Sequence, residues 1–306
     1  MRFDTIRRWG LSAMVASAAA IAAVPAGPGV LIYVEGQTRL GERALAAESV
    51  GTAQLRRGDV LQTSKGRAEI LLSPGVFLRL GENSAVRMLS PDLLDTRVEL
   101  LRGDALVEAV DLRKENEIRV VDERSQTKLL KDGVYRFNAD RDAVAVYDGK
   151  VQVSADDRQV EVKSGHEVSL NGSFEDRKFD KKETKNADPL YAWSKLRSDY
   201  LSAASAQTAR VYVANSWGWP GSGFYWNPWV RTYAWMPGDG FMYSPFGAAY
   251  YSPWAFTGPG YFGPTYVYRR RPRWVRPGGV VRPGIGGVRG GMVQRGINPG
   301  LGRRGR

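Results

Sequence analysis

Apolar and polar residues alternate along much of the first half of the chain. In Arg67-Ala68-Glu69-Ile70-Leu71-Leu72, positions 68, 70 and 72 share one face, and Val76, Leu78 and Leu80 repeat the pattern. The same period returns at Val98/Leu100, Ala105/Val107/Ala109, Ile118/Val120 and Tyr135/Phe137. It continues through Val144/Val146, Val151/Val153, Val160/Val162 and Val168/Leu170. A period of two puts alternate side chains on one side of a strand, so the stretch reads as about ten short strands. Turn formers separate them: Lys65-Gly66, Ser73-Pro74-Gly75, Arg102-Gly103-Asp104, Asp132-Gly133, Asp148-Gly149, Ser164-Gly165 and Asn171-Gly172. Short strands with one apolar face each can hide it when two sheets close on one another. The expectation for residues 30–171 is therefore mainly β, a β-sandwich or jelly-roll-like domain.

The pattern changes after this domain. Residues 172–187 are dense in both charge signs and read as a charged, solvated linker. Asp188-Pro189 then opens an amphipathic helix over 188–207, because Asp caps free N–H groups and Pro fits a first turn that needs no donor. Leu190, Trp193, Leu196, Tyr200 and Ala204 follow at three- and four-residue spacing as one apolar stripe. Docking on the β-domain is the expected use of that stripe, and binding a partner the alternative. Residues 208–268 form an aromatic Gly/Pro-rich region: positions 211–268 hold 20 of the 33 aromatics, with Arg231 and Asp239 as the only charges. A degenerate unit recurs there as Trp226-Asn227-Pro228-Trp229, Tyr243-Ser244-Pro245-Phe246, Tyr251-Ser252-Pro253-Trp254 and Phe262-Gly263-Pro264. Its prolines are spaced 17, 8 and 11 residues apart, too irregular for a solenoid, and turns closed by aromatic–Pro packing are expected instead. Residues 269–306 combine Arg, Gly and Pro with few apolar residues and read as a disordered tail, unable to offset the entropy of ordering.

Composition narrows the chemistry. The chain of 306 residues carries a formal charge of +12, and the segment from Arg269 to Arg306 contributes eleven Arg and no Asp or Glu. A nearly neutral body therefore carries a cationic tail. With no Cys and one His, disulfides, thiolate metal sites and a Cys nucleophile are excluded, and His-based triads or metal sites are disfavoured. At the N-terminus, Arg2, Arg7 and Arg8 precede the uncharged Leu11–Val24 run, which ends at Pro25-Ala26-Gly27-Pro28. That order is the order of a secretory signal peptide over 1–26. As a helix the run reaches about 21 Å, short of a bilayer core, so cleavage is favoured over an N-terminal membrane anchor. Val24-x-Ala26 places the cut after Ala26, with Ala20-x-Ala22 as second choice. Arg7-Arg8 is a weak match to the twin-arginine route, since Ile6 stands where Ser or Thr is usual. The expected location is the periplasm or cell surface of a bacterium, or secretion from it.

The alternating segment resembles the FecR-like domain of bacterial envelope proteins. The resemblance begins at Gly58-Asp59-Val60-Leu61-Gln62-Thr63-Ser64-Lys65-Gly66-Arg67 and runs on through Ala68–Leu80. It continues in Val98-Glu99-Leu100-Leu101-Arg102-Gly103-Asp104-Ala105-Leu106-Val107-Glu108-Ala109 and in Val144-Ala145-Val146-Tyr147-Asp148-Gly149-Lys150-Val151-Gln152-Val153. It covers roughly residues 50–171. The resemblance implies a non-enzymatic, extracytoplasmic β-domain of jelly-roll type, used by the best-known members in transmembrane signalling to a sigma factor. Those members carry a cytosolic sigma-binding region, whereas ten residues precede Leu11 here, which speaks against a direct anti-sigma role. Ser73-Pro74-Gly75-Val76 also replaces the family's usual Asp-Gly-Ser turn.

Catalytic patterns are weak. His166, in Ser164-Gly165-His166-Glu167, reads as an ordinary turn or surface residue. Asp92/Asp95 and Asp156/Asp157 could flank a glycosidic bond, but they sit in expected turns, where Asp bonds local backbone. Gly284-Ile285-Gly286-Gly287-Val288-Arg289-Gly290 misses a dinucleotide fingerprint, with Arg289 at the third Gly position and no strand–helix unit around it. The expectation is a non-enzyme with no cofactor. Two binding features remain. Trp217, Trp219, Trp226, Trp229, Trp235 and Trp254 are candidates for stacking on a glycan. Arg269, Arg270, Arg271, Arg273, Arg276, Arg303, Arg304 and Arg306 are candidates for binding a polyanion. In an exported protein the eligible partners are envelope proteins, cell-surface polyanions and glycans, with nucleic acid disfavoured by the compartment.

Overall fold

The structure, a computed structural model, describes residues 26–257 apart from 124, 171–173 and 216–220. Strand β1 (Leu31–Leu40) pairs with the two-residue β2 (Arg43–Ala44) and with β3 (Val60–Ser73), the longest strand. Next come β4 (Val76–Leu80), β5 (Ala85–Pro91), β6 (Asp95–Arg102), β7 (Asp104–Ala109) and β8 (Glu117–Asp122). Then follow β9 (Ser125–Leu129), β10 (Gly133–Asn138), β11 (Ala143–Asp148), β12 (Lys150–Ala155) and β13 (Arg158–Lys163). β14 (His166–Ser169) and β15 (Asp176–Lys178) complete the large sheet.

β3 is where the sheet forks. Its first residues, Val60–Gln62, pair with β5, and Ala68–Ser73 pair with β4. One branch continues β5-β6-β8-β9-β12-β13 and the other β4-β7-β10-β11-β14-β15. Among the described residues, all strand pairings are antiparallel except β6 with β8. The fork bends where Gly36 of β1 faces Gly66 of β3, with Gly36 at φ +64°. A side chain at either position would collide with the opposite backbone, so glycine permits the close crossing.

The fold is mainly β, as the alternation foretold, and the two branches enclose one core. Ala68, Ile70, Leu72, Val76, Leu78 and Leu80 line it from one side, and Val98, Leu100, Ile118, Val120, Val151 and Val153 from the other. The outer face of the β5 branch is solvated and carries ion pairs such as Arg87–Glu99 and Lys128–Glu117. The outer face of the β4 branch is covered. Every residue of β4 is buried, as are Leu106 and Glu108 of β7.

The cover comes from residues 181–257 of the same chain. Helix α1 (Lys181–Ala187) is followed by α2 (Pro189–Ala214) and two hairpins, β16 (Gly223–Asn227) with β17 (Thr232–Met236), and β18 (Phe241–Tyr243) with β19 (Ala249–Tyr251). The stretch read as a linker thus holds β15 and α1. Asp180 caps α1 by accepting from the N–H groups of Lys182 (2.8 Å) and Glu183 (2.9 Å), and Arg177 of β15 pairs with Glu167 of β14. α2 outlasts its expected end at 207 because its last turns also have something to bury against: Ala209 and Tyr212 pack with Tyr225 and Met236 of the hairpin.

The phase of the α2 stripe also differs from expectation. Leu190, Trp193 and Ala204 are buried, but Leu196 and Tyr200 are exposed. The buried face instead carries Ser194, Arg197, Ser198, Leu201, Ser205 and Thr208, because the sheet beneath it is partly polar. Among the described residues, no helix is long and apolar enough to cross a membrane.

Candidate functional site

The polar surface between sheet and helix is built from Glu69 of β3, Arg79 of β4 and Glu108 of β7, each fully buried. Strand register brings them together: Glu69 lies opposite Arg79, and Glu108 lies opposite Phe77, two residues from Arg79. Arg79 Nε donates to Glu69 Oε1 at 2.7 Å. Its Nη1 lies 2.7 Å from Glu108 Oε2 as an ion pair whose angle falls outside hydrogen-bond geometry. The rings of Phe77 and Phe246 flank the guanidinium at 5.7 and 5.8 Å. From above, Arg197 of α2 grips Glu69 Oε2 through Nε (3.0 Å) and Nη2 (2.9 Å) and stacks 4.0 Å over Tyr33. Glu108 accepts from Ser198 (2.8 Å) and from Ser244, and Ser198 lies 3.3 Å from the Tyr250 hydroxyl.

Two carboxylates and two guanidiniums thus balance in charge and hold sheet, helix and second hairpin together. Burial alone lowers the Arg79 pKa, but Glu69 and then Glu108 more than offset this and hold it above the ordinary value. Burial, followed by Glu108, pushes the Tyr250 hydroxyl up, so it stays protonated. The cluster is spent on itself. It positions the covering layer, and Glu69, Arg79 and Glu108 are closed off from solvent.

A second clasp sits at the start of α2. One oxygen of Asp188 accepts from the N–H groups of Leu190 (2.9 Å) and Tyr191 (3.1 Å), as the Asp-Pro signal implied. The other accepts from Tyr147 Oη at 2.7 Å and pairs with Arg136, which also holds Asp104 at 2.7 Å. Burial and then Asp188 push the Tyr147 hydroxyl up.

The expected stacking residues separate in the structure. Trp217 and Trp219 lie outside the described residues, as do Arg269, Arg270, Arg271, Arg273, Arg276, Arg303, Arg304 and Arg306. Trp235 is corrected from a ligand-stacking candidate to a packing residue. It is 0% exposed and meets Tyr250 edge-on at 5.0 Å. Trp235 lies within a strand, Thr232–Met236, whereas the exposed Trp229 and Trp254 each directly follow a proline. Trp226 is half-buried, edge-on to Tyr233 at 5.3 Å, with its ring against Gly51. A Cβ on Gly51 would stand 2.3 Å from that ring, and the residue has φ +77°. Gly51→Ala is therefore expected to cost about 1–3 kcal/mol, measurable by urea unfolding. Trp229, on the turn between β16 and β17, and Trp254, in the turn at Pro253–Phe256, are exposed.

The carboxylate pairs proposed as catalytic alternatives serve turns and ion pairs where the structure describes them. Asp92 Oδ1 accepts from the Leu94 N–H at 2.9 Å, and Asp95 pairs with Arg119 and Arg97. His166 Nδ1 lies 2.8 Å from Asp176 Oδ1 between β14 and β15. Among the described residues no group of three or more His, Cys, Asp or Glu is placed to hold a metal.

Asp132, in the Asp132-Gly133 turn, is a carboxylate that its surroundings perturb strongly. Burial pushes it up to about 6, the Leu112 N–H at 2.7 Å opposes this, and Asp111 adds to it. The folded state holds that proton more tightly than the unfolded chain. The linked stability is complete below the ordinary 3.8 and is lost as pH rises through about 6. Asp132→Asn keeps the acceptor for Leu112 and removes the charge. At neutral pH it is expected to raise stability by about 1–2 kcal/mol, with the gain vanishing in acid, as a pH series of chemical denaturation will read.

No protein-family model matches the chain. No curated protein matches it in sequence. Two solved structures from Parabacteroides distasonis, both described as a candidate anti-sigma factor, are similar over part of it. One is 19% identical, with a TM-score of 0.35, over 40% of this chain and 61% of that one. The other is 18% identical, with a TM-score of 0.36, over 41% of this chain and 62% of that one. The chain thus spans less than two thirds of the length of either.

Proposed function

We propose that the protein is an exported, non-enzymatic module of the bacterial envelope, a protein-interaction or scaffold and signalling domain held at an anionic surface by its cationic C-terminus. The observation that carries this reading is the partition of charge: eleven Arg and no acid in 269–306, behind a nearly neutral body and a leader-like Met1–Ala26. The FecR-like motifs in the strands support the signalling role. The buried clusters support a scaffold over an enzyme, since their carboxylates are consumed by guanidiniums, hydroxyls and helix N–H groups of the same chain. Expression from Met1 followed by fractionation at low and high salt tests the proposal. Recovery with the envelope at low salt and release at high salt is expected, and salt-insensitive recovery in the cytosol would overturn it.

A glycan- or cell-wall-binding role is the second reading, favoured by the solvent-facing rings of Trp229 and Trp254. It expects retention on peptidoglycan that is lost in Trp229→Ala/Trp254→Ala. Unchanged retention would remove these rings from the account.

A further inference from the structure

We infer that the turn joining β16 and β17, Pro228-Trp229-Val230-Arg231, is a membrane-contacting tip that enters the interface of an anionic lipid bilayer. Trp229 is 59% and Val230 47% exposed, and Pro228 and Arg231 are exposed beside them. The turn is not a loose loop. Asn227 is fully buried, and its side-chain carbonyl accepts from the N–H of Trp229 at 3.0 Å and of Val230 at 3.3 Å. Pro228 has no N–H to satisfy. The first three residues of the tip therefore carry no unpaired backbone donor into a medium poor in water, where each such donor would cost several kcal/mol.

The same asparagine ties the tip to the body. Its amide donates to Thr208 Oγ1 of α2 at 2.8 Å, and Thr208 in turn donates to the Ala204 carbonyl at 2.7 Å. On the other strand, Thr232 Oγ1 donates to the Ile32 carbonyl of β1 at 3.1 Å. Two apolar side chains are thus held outward on a rigid mount, so little ordering entropy is lost when they are buried.

Charge selects the partner. Arg231 closes the turn, which carries no Asp or Glu of its own. A tryptophan beside a cation suits the headgroup level of a bilayer, where the ring lies at the interface and the guanidinium meets phosphate. The inference adds a contact point to the proposed anionic surface and rests on that reading.

Because the chain contains no cysteine, a single Val230→Cys labelled with the fluorophore NBD reports on the tip alone. A Gln207→Cys label on the exposed side of α2 serves as the control. Vesicles of phosphatidylglycerol and phosphatidylcholine are expected to shift the emission of the label at 230 to the blue and shield it from iodide, leaving the label at 207 unchanged. Trp229→Ala is expected to weaken partitioning about tenfold. Binding to the vesicles without a change at 230 would overturn the tip while leaving the tail as the anchor. No binding at low salt would overturn both.

Discussion

Arg79→Met is expected to destabilise the fold by about 3–5 kcal/mol, out of a total of roughly 5–15 kcal/mol for an ordinary domain. Arg79 stands between Glu69 and Glu108, and all three are closed off from solvent. Removing the guanidinium leaves Glu69 with Arg197, but strands Glu108 as a buried carboxylate facing only the hydroxyls of Ser198 and Ser244. An ionised group in that position cannot recover its lost hydration. The charge arithmetic points to its own rescue. Adding Glu108→Gln keeps an oxygen for both serines and removes the orphan charge, so the double variant is expected to regain about 1–3 kcal/mol over Arg79→Met. Urea unfolding of the wild type, both single variants and the double variant measures the coupling. If the two changes simply add, the clasp does not operate as described.

Trp235→Ala is expected to cost about 3–5 kcal/mol, whereas Trp229→Ala should stay within about 0.5 kcal/mol of the wild type. The two rings lie six residues apart in the same hairpin, and the contrast follows from what each one touches. Trp235 fills the space between the outer face of the sheet and the second hairpin, in one cluster with Leu71, Phe77, Phe224, Tyr233 and Tyr250. Deleting it leaves a void that this close-packed layer cannot fill. Trp229 faces solvent, and Asn227 holds its turn through the backbone whatever the side chain. Chemical denaturation of both variants checks this. A stability loss at Trp229 matching that at Trp235 would mean that the tip is part of the core.

The inner face of the fold was legible because burial on one side of a strand leaves a period of two, and the pairs from Val98/Leu100 to Val168/Leu170 all line the core. The covered outer face was not. Glu69, Arg79 and Glu108 share the outward phase of their strands with Leu71, Phe77 and Leu106, and alternation gives a charged residue the same signature whether it faces water or a buried partner. Two hints were visible: the apolar Leu71, Phe77 and Leu106 on that phase, and opposite charges at positions that the hairpin register sets face to face. The helix misled for the same reason. Its interface carries Arg197, Ser198 and Thr208, so a search for apolar spacing settled on Leu196 and Tyr200, which point outward. For the tryptophans, aromatic density announced a region rich in rings but could not separate Trp235, which fills the layer, from Trp229, which stands clear of it.

The most direct measurement is the intact mass of the protein recovered from cells expressing the chain from Met1. Export with cleavage predicts a species in the envelope fraction that begins at Gly27, or at Ala23 if the second cleavage choice operates. A full-length species beginning at Met1 and residing in the cytosol would contradict the account.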